Sequence, residues 1–269
     1  MSVKTERHPP HARAYVDDLA ASGRHHFTSA DAQKALGVSP AAAKLALGRL
    51  AKQKLVASPA RGFYVIVPPE YRALGCLPGD QFIPALMQWQ GLSYYAGLLS
   101  AAQYYGAAHH APQVFQVLLP RRRLNIACGA VRVAFYARRN LSAVATRLFN
   151  TPRGTIAVST PEATAIDLVG YHHHVGGFDN VATVLAELAE QIDAAKLVDA
   201  AQTAPLPWAQ RLGYLLDHIG AGDRAGPLRD YVKALAHDYA PLLSSADSVQ
   251  AKRDPNWKLL INERVEAEV

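Results

Sequence analysis

The stretch TSADAQKALGVSPAAAKLALGRLAKQKLVASPARGFYVIV, Thr28 to Val67, decides the fold of the N-terminal quarter. Thr28 followed three residues later by Asp31 has the form of a capping box, in which each partner satisfies a free N–H at a helix start. Ala32, Ala35 and Leu36 give the short helix that follows one apolar side, and Gly37 supplies a left-handed stop. After the tight Gly37-Val38 connection, Ser39 is placed to cap a third helix, and Pro40 occupies its first position, where no N–H is needed. Ala43, Ala46, Leu47 and Leu50 then recur at helical spacing as one buried stripe. Leu55 to Ala57 and Phe63 to Val67 read as strands joined by the short basic turn Ser58 to Gly62. Upstream, Tyr15, Val16, Leu19 and Ala20 mark a first helix between Pro9 and Ser22, with Gly23 as its stop. Three helices, then strand, wing and strand, make a winged helix-turn-helix over residues 1–68.

In that arrangement the third helix lies in the major groove of DNA and the wing reaches the backbone. Burying Ala43, Ala46, Leu47 and Leu50 turns Pro40, Ala41, Lys44, Leu45 and Gly48 outward, with Arg49 and Lys52 near the rim. The expected DNA-contacting set is Ser39, Ala41, Lys44, Leu45, Arg49, Lys52, Lys54 and Arg61. Lys44 is its one strong donor on the reading face, and Ala41 or Leu45 suits thymine methyls. Lys44, Arg49, Lys52, Lys54 and Arg61 are expected to meet phosphates. So sparse a face reads few bases, and two copies on paired half-sites would multiply its selectivity. The bland alternative is a protein-docking module with an ordinary solvated basic face.

Charge favours DNA. The chain has 269 residues and a net charge of +6, and residues 1–68 carry ten Lys/Arg against Glu6, Asp17, Asp18 and Asp31, which is the whole excess. Residues 81–161 hold eight arginines and no acid, whereas 162–269 carry a net −7. Such segregation attracts polyanions without itself distinguishing nucleic acid from a membrane surface or an acidic protein. Arg121, Arg122, Arg123, Arg132, Arg138 and Arg139, with no acidic partner nearby in sequence, form a candidate second basic surface; the competing reading is a solubilising turn.

Pro68-Pro69 marks a joint, and residues 69–269 read as a larger mixed α/β domain, giving an α/β (α+β) chain with a small sheet and C-terminal helices. Residues 81–110 make two Tyr-rich helices. Val114 to Leu119, Val131 to Tyr136 and Ile156 to Ser159 are strands. Past Pro161, one helical face carries Val181, Val184, Leu185, Leu188 and Ile192, the next Leu212, Leu215, Leu216 and Ile219, and a third Val232 and Leu235. Trp257 to Ile261 adds a late strand.

Half the residues are hydrophobic and 19% charged, which excludes disordered and fibrous classes. No uninterrupted apolar run reaches membrane-spanning length and the first residues lack a leader's apolar core, so a cytoplasmic protein without membrane contact is expected. Two cysteines, Cys76 and Cys128, are too few for a disulfide framework and too far apart for a metal knuckle. His172-His173-His174 with Asp167 upstream, His25-His26 and His109-His110 invite a metal reading. Adjacent side chains point apart, however, and no metal is expected. The chain has no G-x-S-x-G elbow, Gly220, Gly222 and Gly226 lack a Walker lysine, and the arginine-rich region has no carboxylate for a metal-dependent nuclease. No catalytic residue and no cofactor are expected.

The winged order, together with YYAGLLSAAQYYGAAHHAPQVFQV (Tyr94 to Val117), STPEATAIDLV (Ser159 to Val169), GGFDNVATVLAEL (Gly176 to Leu188) and NWKLLIN (Asn256 to Asn262), resembles the AbiEi antitoxin family of type IV toxin–antitoxin systems. The His172–His174 triplet departs from that pattern and is taken as variation in a connecting loop. The resemblance implies a bacterial transcriptional autorepressor binding inverted repeats in double-stranded DNA at its own promoter. It also implies an antitoxin that neutralises a cognate nucleotidyltransferase toxin, and leaves open whether the two proteins touch. The alternatives are an enzyme modifying nucleic acid or the toxin from the second domain, and a plain winged-helix repressor.

Overall fold

The computed structural model describes residues 11–107 and 113–267. The first elements are α1 (Ala12–Ala21), β1 (His26–Thr28), α2 (Ser29–Leu36), α3 (Pro40–Lys52), β2 (Val56–Ala60) and β3 (Phe63–Ile66). The caps lie where local chemistry puts them. Thr28 Oγ1 accepts from Asp31 N at 3.1 Å and Asp31 Oδ2 accepts from Thr28 N at 2.9 Å. Gly37 takes the left-handed conformation, and Ser39 Oγ accepts from Ala42 N at 3.3 Å.

Strand β1 is a difference from the sequence reading. His26 to Thr28 pair antiparallel with Phe63 to Val65, giving a three-stranded sheet in the order β1-β3-β2. The hairpin is also tighter than expected: β2 runs on to Ala60 through a bulge, and Arg61-Gly62 alone make the turn, with Gly62 at φ +83°. Both faces of this sheet are covered. Val56, Tyr64 and Ile66 join Val16, Leu19, Phe27, Leu47 and Leu50 on one side. Ala57, Phe63 and Val65 join Leu77, Phe82, Ile83 and Leu86 on the other, so apolar contact crosses the Pro68-Pro69 joint.

Beyond the joint come α4 (Gly79–Gln90), β4 (Tyr95–Ala96), α5 (Leu98–Tyr104), β5 (Phe115–Leu119), β6 (Ile126–Cys128), β7 (Val131–Ala137), β8 (Thr146–Thr151) and β9 (Gly154–Ser159). The six strands form one mixed sheet in the order β6-β7-β5-β4-β9-β8. Two of its contacts are parallel, β5 with β7 and β4 with β9. Alternation sorts its side chains. Val117, Leu119, Val133 and Phe135 face α4, whereas Leu118 faces the helices on the other side.

Those helices are α6 (Pro161–Gly170), α7 (Gly177–Leu188), α8 (Ala194–Gln202), α9 (Leu206–His218) and α10 (Gly226–Leu235), closed by β10 (Ala240–Pro241), β11 (Lys252–Asp254) and β12 (Leu259–Ile261). Every residue of α6 from Pro161 to Val169 is buried, because the sheet lies on one side and the later helices on the other. Trp257 is fully buried against Gly213 of α9, where a Cβ would fall 2.0 Å from the ring. Leu235, expected on a buried stripe, is 48% exposed at the end of α10.

Candidate nucleic-acid interface

Helix α3 buries Ala43, Leu47 and Leu50 and leaves Ala46 half-buried, so the outward face follows from the periodicity. Ser39, Ala41, Lys44 and Leu45 are exposed along it, Leu45 at 66%. Arg49 and Lys52 are exposed in its last turn, Lys54 in the connection to β2, and Arg61 at the hairpin tip. No acid lies in the first turn of α3. Among the described residues these five cations have no carboxylate partner, which leaves their donors free for an anionic ligand.

The arginine block divides. Strands β5 and β7 run parallel with Leu119 opposite Ala137, so Arg121 and Arg122 emerge at the same sheet end as Arg139, all exposed. Arg132 is exposed at the opposite end of β7, and its guanidinium donates to the carbonyls of Gly129 and Val131. Arg123 is half-buried, stacked 4.8 Å over the Phe135 ring and hydrogen-bonded to Gln90.

Arg138 corrects the sequence reading outright. It is 3% exposed and belongs to no surface. Its Nε donates to Asp167 Oδ1 at 2.9 Å, its other nitrogens donate to Thr203 O at 2.9 Å and Thr203 Oγ1 at 3.0 Å, and it lies 5.1 Å over the Trp208 ring. The acid missing from its neighbourhood in sequence is supplied by α6. Tyr95 OH donates to the second carboxylate oxygen at 2.6 Å, so Asp167 is committed on both sides. Burial pushes the Asp167 carboxyl up, while the Arg138 charge and the Tyr95 hydrogen bond pull it back. Arg153 is similarly occupied: it contacts His25 Nδ1 at 2.5 Å, Gln81 Oε1 at 3.2 Å and Glu70 at 3.6 Å, holding the start of β1 to α4 and the joint.

The histidine triplet forms a short turn after α6. His172 stacks on Phe178 with ring centroids 4.2 Å apart, and His174 packs 4.5 Å from Tyr136. Burial lowers the pKa of both. His26 stacks on Phe63, and His109-His110 lie outside the described residues. Among the described residues no three His, Cys, Asp or Glu side chains converge as a metal site requires, and no helix is long and apolar enough to cross a membrane. Cys76 and Cys128, remote in sequence, meet in one apolar cluster.

Residues 95–218, which hold β4 to β9 and most of the covering helices, match the family model described as the AbiEi antitoxin C-terminal domain. The class of protein that this domain defines is an antitoxin of a toxin–antitoxin system. The match over these residues supports an AbiEi-family antitoxin. It is similar in fold to the crystal structure of the RV2827C protein from Mycobacterium tuberculosis, at a TM-score of 0.67 and 20% identity over 94% of this chain and 92% of that one. No curated protein matches it.

Proposed function

We propose that this antitoxin is also a DNA-binding autorepressor. Residues 1–68 act as a winged helix-turn-helix on inverted repeats at its own promoter, and residues 69–269 carry the activity against a cognate nucleotidyltransferase toxin. The observation that carries the reading is the coincidence of charge and shape: the whole +6 excess lies in residues 1–68, and α3 and the hairpin tip present Lys44, Arg49, Lys52, Lys54 and Arg61 without carboxylate partners among the described residues. Lys44, Ala41 and Leu45 face base edges, Ser39 lies at the helix start where a phosphate approaches, and the other cations position the chain on the backbone. Arg121, Arg122 and Arg139 extend the contact from the second domain. The protein works in the cytoplasm as a regulator, with no cofactor and no catalytic step.

The test uses the full chain with Lys44, Arg49 and Arg61 replaced by Ala. It should lose its gel shift on its own promoter while still rescuing growth when the neighbouring toxin is expressed. An unchanged shift refutes DNA binding through α3 and the wing, and failed rescue by the unaltered chain refutes the antitoxin assignment to that toxin.

A further inference from the structure

The chain's two cysteines lie 52 residues apart, and the fold brings them together at a backbone-to-backbone contact. The loop before α4 touches the β6–β7 turn so closely that Ala130 N donates to Leu74 O at 2.7 Å. A Cβ on Gly129 would fall 2.1 Å from that oxygen and 3.0 Å from Gly75 Cα. Glycine at 129 is therefore what lets the segments meet. Cys76 and Cys128, each the neighbour of one of these glycines, share an apolar cluster, close enough for each thiol to shift the titration of the other.

The two sulfurs are not equivalent. Cys128 lies beside the Cys76 thiol and the backbone N–H of Ser58, a residue that the bulge in β2 leaves outside the ladder with β3. The neighbouring Cys76 thiol draws the Cys128 pKa down against the opposing effect of burial. Cys76 is driven up, first by Cys128 and then by its own burial. Cys128 is also the more accessible of the two, at 8% exposure against none for Cys76. A favoured thiolate beside a protonated partner thiol is the arrangement of an attacking and a resolving cysteine.

We propose that Cys76 and Cys128 form a redox-responsive dithiol that a hydroperoxide converts into an internal disulfide. Cys128 releases its proton to solvent and the thiolate attacks a peroxide oxygen; an S–O bond forms, the O–O bond breaks, and the departing hydroxide takes a proton back from solvent and leaves as water. The sulfur is oxidised to a sulfenic acid and the peroxide is reduced. Cys76 then attacks that sulfur, an S–S bond forms, the S–O bond breaks, and the hydroxyl leaves as a second water with the Cys76 proton. Two thiols and one hydrogen peroxide become one disulfide and two waters. The change is felt in β2, because the Cys128 sulfur is drawn from the Ser58 N–H toward Cys76, and Ser58 lies on the hairpin whose tip carries Arg61.

The test treats the reduced full chain with hydrogen peroxide and follows free thiols, intact mass and amide exchange. Both thiols should disappear together, the chain should become two hydrogens lighter, digestion should yield a Cys76–Cys128 cross-linked peptide, and dithiothreitol should reverse all three. Cys76→Ser should stop at a sulfenic acid trapped by a dimedone probe, and Cys128→Ser should leave Cys76 unmodified. Exchange at Ser58 should quicken in the oxidised chain. Persistence of both thiols, over-oxidation of Cys128 without a cross-link, or a disulfide between two chains overturns the proposal, and unchanged exchange at Ser58 in a cross-linked chain overturns the link to β2. None of these readouts depends on DNA or toxin binding.

Discussion

Arg138 on the strand-end loop after β7 donates to Asp167 of α6 at 2.9 Å, with the arginine 3% exposed and the aspartate not at all. This pair ties the six-stranded sheet to the helices behind it, and it turns the most central member of a basic cluster into an internal strut. Taking both charges out of water is costly, and the arrangement is held because Tyr95 and Thr203 satisfy the remaining hydrogen-bonding groups.

Removing one partner alone leaves the other buried and unpaired. Arg138→Ala should cost about 3–5 kcal/mol in denaturant unfolding, and the double replacement Arg138→Met with Asp167→Leu should cost less than either single change. Additive losses in the double variant would show that the ion pair does not govern the stability of this joint.

Lys44 and Arg61 should separate reading from positioning. Lys44→Ala is expected to weaken promoter binding by roughly 1–3 kcal/mol more than binding to random DNA, whereas Arg61→Ala should weaken both about equally. Competition gel shifts measure the ratio, and equal losses from Lys44→Ala would reduce that residue to a phosphate contact.

Arg121 and Arg122 are the part of the second basic block that solvent reaches beside Arg139. Replacing both with Ala should lower the slope of log affinity against log salt by up to about two units, at roughly 0.9 per phosphate, without changing which promoter is preferred. An unaltered slope would assign these guanidinium groups to a protein partner, and toxin rescue by the same variant would then fall.

Helix α2 should be acid-sensitive at its start. The Thr28 N–H donated to Asp31 holds that carboxyl below its ordinary 3.8, so the stability it adds is present above that pH and is lost as pH falls through the lower folded-state value. Thr28→Ala should cost about 1 kcal/mol near neutrality, and Asp31→Asn should make the acid limb of a stability profile shallower. An acid limb identical to that of the unaltered chain would remove the capping box from the account.

His172 and His174 are held neutral by burial, so both lose stability as they are forced to take a proton below their ordinary 6.5. Replacing His172, His173 and His174 with Gln should leave DNA binding and neutralisation intact and reduce the stability lost as pH falls below the ordinary histidine value of 6.5. Neutralisation lost in that variant would give the triplet a role in antitoxin action.

What the residues announce on their own is local. Thr28 with Asp31, Gly37, Ser39 with Pro40, and the spacing of Ala43, Leu47 and Leu50 act over three or four positions, so the helices, their ends and the outward face of α3 are legible before any chain is folded. The acid-free arginine stretch and the family motifs are legible for the same reason. Tertiary structure decided everything that depends on partners distant in sequence. Strand β1 has three residues and exists because β3 offers it a ladder, and β4 has two and is held only by β5 and β9. Arg138 is buried because Asp167 of α6 and Thr203, just past the end of α8, arrive from 29 and 65 residues away, and Cys76 meets Cys128 only because Gly75 and Gly129 let two loops touch. Such contacts carry no periodicity, since the loop entropy they overcome is repaid only when the sheet and helices have already closed.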